Sequence, residues 1–145
     1  MHVGFTGTKD GCSDPQLRAL NKLVKALTSI ATRNMDDVYF HNGDCVGADK
    51  QSWDIAVHQY EWKGVLHPPI INRNRAFCSG AVEERVPDDY MVRNRHIVDS
   101  SQLMIACPNG KEYLRSGTWS AVRYARKKFK RIYIIYPDGE VVVEN

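Results

Sequence analysis

Short apolar runs alternate along this chain with longer stretches whose apolar residues recur at three- and four-residue steps, the signatures of strand and amphipathic helix. Residues 3–6 read as a first strand running into a glycine turn at Gly7. Ser13, Asp14 and Pro15 then supply a capping side chain and a proline at the first helical position. Leu17, Leu20, Val24, Leu27 and Ala31 form the buried stripe of that helix. Residues 38–41 predict a second strand ending at Asn42 and Gly43, and residues 48–61 a second helix with Trp53, Ala56, Val57 and Tyr60 on one side. A third strand over 64–67 is stopped by Pro68 and Pro69. Periodicity fails between residues 70 and 87, which predicts a long loop carrying Arg73, Arg75, Glu83, Glu84 and Arg85; such loops in a compact domain are usually functional or mobile. Asp88 is placed to cap a helix reaching Ser100, and apolar strands over 103–106 and 132–135 flank a helix over 118–129. Pro137, Asp138 and Gly139 make a turn into a last short strand over 140–143, an expected edge hairpin.

Strands alternating with helices imply an α/β fold, a mostly parallel sheet with helices on both faces in three layers. Right-handed crossovers place the first strand centrally, beside the strand at Leu103, in a Rossmann-like order. Ligands of such sheets bind beyond the strand carboxyl ends, where the strand order reverses. No repeat or linker interrupts the pattern, so residues 1–145 are expected to form a single domain.

Composition narrows the function classes. With 145 residues, 43% hydrophobic and 26% charged, the chain is neither disordered nor collagen-like and can bury one core. A net charge of +3 permits an anionic ligand without demanding nucleic acid. Cys12, Cys45, Cys78 and Cys107 lack paired spacing, so they are expected to be small buried hydrophobes rather than zinc ligands. His2, His41, His58 and His96 lack metal-ligand spacing as well. His67 sits at a strand's carboxyl end, where a hydrogen-bonded structural role is expected. No nucleophile elbow is present. No cofactor or metal is expected. Residues 1–5 show no basic segment followed by a long apolar one, so no export leader is expected, and no apolar run comes near the roughly 20 residues that cross a bilayer; a cytoplasmic protein with reduced thiols and no membrane partner is expected.

Three glycine-bearing turns each follow a strand and open a helix: Gly7-Thr8-Lys9, Gly43-Asp44 through Asp49, and Ser116-Gly117-Thr118. Glycine lets a ligand approach the main chain, and the helix starts offer N–H groups to phosphate. Each turn alone also has a structural reading, because glycine ends strands. A fourth element, Arg93-Asn94-Arg95, lies on the helix before the central strand. A guanidinium suits phosphate and an asparagine suits a base edge or ribose.

These segments carry a resemblance. Gly4-Phe5-Thr6-Gly7-Thr8-Lys9, the stretch from His41 through Asp49, Arg93 through Val98, and Ser116-Gly117-Thr118-Trp119 resemble, in order and over nearly the whole chain, the motifs of the SLOG superfamily. That group of Rossmann-like domains includes the DNA-processing protein DprA and the "Lonely guy" phosphoribohydrolases. The match is nearest to its small stand-alone bacterial and phage members. The resemblance implies a pocket for a nucleotide or nucleotide derivative. Its lining would be Gly7, Thr8, Lys9, Gly43, Asp44, Arg93, Arg95, Ser116, Gly117 and Thr118, with Asp44 or Asp49 accepting ribose hydroxyls. It also implies self-association as a homodimer or larger homo-oligomer. Phosphoribohydrolases of the group carry a glutamate three residues beyond the Gly-Thr pair, where this chain has Ala121. Cleavage of an N-glycosidic bond needs a carboxylate; Asp44, Asp49 or Asp10 could substitute, though each also has a structural reading, Asp49 as a helix cap, Asp44 as a brace of the glycine turn and Asp10 as a solvated side chain. Binding without catalysis is therefore the leading expectation, with hydrolysis of a nucleoside monophosphate as the alternative.

Residues 111–131 hold eight basic residues and one acid, Glu112. No aromatic ladder interleaves them, so helix-end cations are expected there more than a nucleic-acid patch, and DprA-like single-stranded DNA binding is a second alternative. Trp53, Trp62 and Trp119 are expected in the core or a subunit contact, with Trp119 adjoining the pocket. Length and charge also suggest that the loop with Arg73 and Arg75 closes over a ligand.

Overall fold

The computed structural model describes residues 1–145. Seven strands, β1 (His2–Gly7), β2 (Tyr39–Asn42), β3 (Lys63–Leu66), β4 (Ala81–Glu84), β5 (Leu103–Cys107), β6 (Arg131–Ile135) and β7 (Val141–Glu144), join one sheet. Its order is β4-β3-β2-β1-β5-β6-β7. Every pairing is parallel except β6 with β7, the expected terminal hairpin. Four helices, α1 (Asp14–Arg33), α2 (Ala48–Trp53, continued by a π-helical turn Asp54–Gln59), α3 (Tyr90–Asp99) and α4 (Gly117–Lys127), cover the two faces. No helix is long and apolar enough to cross a membrane.

Alternation along β5 shows why both faces need cover. Ile105 and Cys107 enter one core with Leu20 and Val24 of α1 and Ala48 and Trp53 of α2. Met104 and Ala106 enter the other with Ile97 and Val98 of α3 and Trp119 and Val122 of α4. The strand is apolar on both sides because it is buried on both sides.

The start of α1 follows the sequence reading. Ser13 caps it, accepting from the N–H of Gln16, whose Oε1 accepts from the N–H of Ser13 in return. The buried Gln16 amide also donates to the carbonyls of Pro108 and Ile135, at 2.7 and 2.9 Å, tying α1 to the ends of β5 and β6. Periodicity alone did not mark that residue as buried. At α3 the capping residue is Asp89 rather than Asp88; its side chain accepts from the N–H of Val92.

The expected long loop is only partly loop. It holds a 3-10 turn, Asn72–Asn74, and the edge strand β4. An edge strand has one neighbour and little burial, and Val82, Glu83 and Glu84 are exposed. The apolar alternation that betrays a strand is therefore absent there.

Gly64 on β3 leaves the space filled by the fully buried Trp53, whose indole a Cβ at that position would enter. Gly64→Ala is expected to destabilise the fold by about 1–3 kcal/mol through overpacking, read as a lower urea midpoint with an unchanged slope.

Candidate functional site

From β1 the chain steps outward through β2, β3 and β4, then returns to place β5 on the other side of β1. The crossovers therefore part between β1 and β5, and the loops at these two carboxyl ends leave a crevice. A cavity of about 390 Å³ lies there, large enough for a small organic ligand. Gly7, Thr8, Lys9, Gly43, Asp49, Arg93, Asn94, Ser116, Gly117 and Thr118 line it together, so the three turns and the α3 cluster do meet.

The turns contribute differently. After β1, the N–H of Thr8 donates to Cys107, that of Asp10 to the Thr8 hydroxyl and that of Gly11 to Thr8. These amides are thus spent within the loop and on the end of β5, which differs from the expected amide cradle, and Lys9 reaches the mouth as an exposed cation. Gly7 is needed for packing, since a Cβ there would strike Ala48 of α2. At the start of α4, the Ser116 hydroxyl accepts from the N–H of Trp119, while the N–H groups of Gly117 and Thr118 have no partner within the chain. These free amides carry the positive end of an eleven-residue helix. A Cβ on Gly117 would meet nothing within 4 Å, so nothing in the chain itself demands glycine there.

Arg93 is 5% exposed. Its Nη1 donates to the carbonyl of Gly43 at 2.5 Å and, more weakly, to that of His67 at 3.5 Å. The Cys45 thiol stands 3.8 Å from Nη1 and from Nη2, and Nε is buried without any partner. Leaving a buried donor unmade costs about 1–3 kcal/mol. Gly43 is glycine for a steric reason: a Cβ would fall inside the guanidinium.

Asp49 is the buried acid of the cavity. Its carboxylate accepts from the N–H of Cys45 at 3.1 Å. Burial holds it up at about 6, while the Arg93 charge and the amides of Cys45 and Gly43 pull the other way.

Two expected site residues do not line the cavity. Asp44 is fully buried away from it: its carboxylate meets Nε of Arg75 at 2.7 Å and accepts from the N–H of Cys78 at 2.8 Å. Its backbone is left-handed at φ 56°, so it works as a staple between the turn after β2 and the segment before β4. Arg95 lies on the outer face of α3, over the ring of Tyr124 at 5.6 Å, because two residues of helix turn a side chain about 200° away from Arg93. Arg75, expected on a closing loop, is held by Asp44 and Glu84 and covers Phe77; Asn74 is the residue of that loop that reaches the cavity. Trp119 is buried in the core, and Ala121 lines the groove between α3 and α4.

Sequence reasoning missed Tyr90, Asn109, Tyr113 and Arg115 on the cavity wall. Tyr90 had a signal: it precedes Arg93 by one helical turn, and the guanidinium sits 5.1 Å from its ring centre. Asn109, Tyr113 and Arg115 lie between β5 and α4, where only proximity to a strand end could have marked them.

No family model matches the chain, and no curated protein matches it. Solved structures do. DNA processing protein A from Helicobacter pylori, determined for its single-stranded DNA binding mode, superposes with a TM-score of 0.62 at 16% identity over 92% of this chain. The alignment covers 64% of that protein, so this chain spans just under two thirds of it. TM1055, a structural-genomics target, superposes with a TM-score of 0.58 at 15% identity, over 90% of this chain and 71% of its own. The fold is Rossmann-like.

The Asp49 shift gives a pH test. The folded chain keeps a proton that the unfolded chain releases between about pH 4 and 6. That contribution is complete below the unfolded value and lost as pH rises through about 6. The stability of Asp49→Asn relative to the parent should therefore improve by on the order of 2–3 kcal/mol from pH 4 to pH 7, measured by urea unfolding. A constant difference would refute the assignment.

Proposed function

We propose that this cavity binds a phosphorylated nucleotide or nucleotide derivative, and that the chain is a member of the SLOG superfamily. The reading is carried by one juxtaposition: a buried guanidinium with an unpartnered Nε shares a small cavity with the free amides at the start of α4. Both are built for an oxyanion. Lys9 and Arg115 add charge to the wall, and Tyr90, Tyr113, Asn74, Asn94 and Asn109 offer stacking and amide groups for a base and sugar. In this reading the phosphate sits on Gly117 and Thr118 and is neutralised by Arg93.

Binding is favoured over cleavage. Two carboxylates reach the cavity, the buried Asp49, whose Oδ2 accepts from the N–H of Cys45, and the exposed Asp10 at its mouth. Cleavage needs a carboxylate at the scissile bond, and the position that carries the glutamate in the phosphoribohydrolase signature is here Ala121, in the groove between α3 and α4 rather than on this cavity. Single-stranded DNA is the second reading, favoured by the likeness to DNA processing protein A; the same seat would then take one backbone phosphate. A binding constant that falls steeply with salt would select it.

A panel of nucleotides, AMP among them, should raise the melting temperature. A hundredfold excess over Kd stabilises by about 2.7 kcal/mol, roughly 5–10 °C for a domain of this size. Gly117→Ala should leave the unliganded melting point unchanged or slightly higher and shrink the ligand-induced rise; Gly117→Asp should abolish it. Equal rises in parent and both variants would remove α4 from the site.

A further inference from the structure

Three imidazoles form a hydrogen-bonded row across the sheet. Nδ1 of His2 on β1 lies 2.8 Å from Nε2 of His41 on β2, and Nδ1 of His41 lies 2.9 Å from Nε2 of His67 just beyond β3. His2 also stacks on Tyr39, with centroids 4.7 Å apart. His41 and His67 are buried, and burial lowers them to about 4 and about 3, so the pair is neutral near pH 7. A neutral imidazole has one donor and one acceptor. Both links are satisfied only when every N–H in the row points the same way.

The row ends at the seat of Arg93. The carbonyls that hold Nη1 belong to Gly43, two residues beyond His41, and to His67 itself. The two strand ends are also joined by the N–H of His67 donating to the carbonyl of Asn42 at 2.9 Å. The ring contact between His41 and His67 is the side-chain tie over that same junction.

We propose that His41 and His67 are positioning residues for Arg93: their ring contact fixes the two carbonyls that seat Nη1, and so sets where the rest of the guanidinium meets an anion. The inference rests on the oxyanion-binding reading above, yet part of its test does not need a ligand. His67→Phe keeps an aromatic ring, somewhat larger than imidazole, and cannot hydrogen-bond, whereas His67→Gln can still reach His41. His41→Asn is too short to reach His67 and carries the same expectation as His67→Phe.

AMP is titrated calorimetrically into parent and variants, and the Arg93 Nε–H resonance is followed by proton–nitrogen NMR. His67→Phe and His41→Asn should weaken AMP about tenfold or more with the circular dichroism preserved, and His67→Gln should recover to within about threefold of the parent. The Nε–H signal, slow to exchange in the parent, should be lost in His67→Phe and His41→Asn and return in His67→Gln. Should the parent not bind AMP, the nucleotide reading fails for that probe, and the resonance decides the positioning role. Unchanged affinity with an unchanged resonance in the two disruptive variants overturns the proposal, as does loss in His67→Gln equal to that in His67→Phe. Should His67→Phe not fold, His41→Asn and His67→Gln decide it by the same comparison.

Discussion

The Arg93 charge is held by backbone carbonyls rather than by a carboxylate, and the rest of the site is fitted to that arrangement. Carbonyl dipoles lower the cost of burying a guanidinium without cancelling its charge. The crevice therefore keeps a positive potential that a close ion pair would have removed. Gly43 has given up its side chain to make room for the planar guanidinium. Asp49, the nearby acid, turns its Oδ2 toward the N–H of Cys45.

The loops around this charge divide the work between rigidity and reception. Behind β1 most amides are already bonded, those of Asp10 and Gly11 within the loop and those of Thr8 and Cys12 to Cys107 and Gln51, and the left-handed Gly47, at φ 84°, lets the start of α2 pack onto the backbone of Lys9. Behind β5 the start of α4 is capped by Ser116 yet keeps two amides free. A rigid wall facing a receptive one lowers the ordering cost of binding.

Much of this was legible in the sequence, and the failures have physical causes. Strand and helix positions came from residues buried on regular faces, and strand alternation implied the β1–β5 crevice. β4 escaped because an exposed edge strand has no apolar face to show. Arg93 and Arg95 read alike as neighbours in a basic triplet, but a helix sends side chains two apart to nearly opposite sides. Of the turn residues named from the sequence all but Asp44 line the cavity, but which of their amides are free depends on partners distant in sequence, such as Cys107 for Thr8. The histidine row was invisible for the same reason. Its members lie 39 and 26 residues apart and meet only through the pairing of adjacent strands.

Asp44 and Asp49 come from one turn and are both buried, yet only one is free to respond to a ligand. Asp44 meets the Arg75 guanidinium at 2.7 Å, so its charge is matched inside the loop it anchors. Asp49 has no such partner, and its carboxyl sits near 6 because burial outweighs the more distant Arg93 charge. An anion drawn to Arg93 would add a second negative charge beside that carboxyl and favour its protonated form. Linkage then requires the converse, that protonating Asp49 strengthens the hold on the anion.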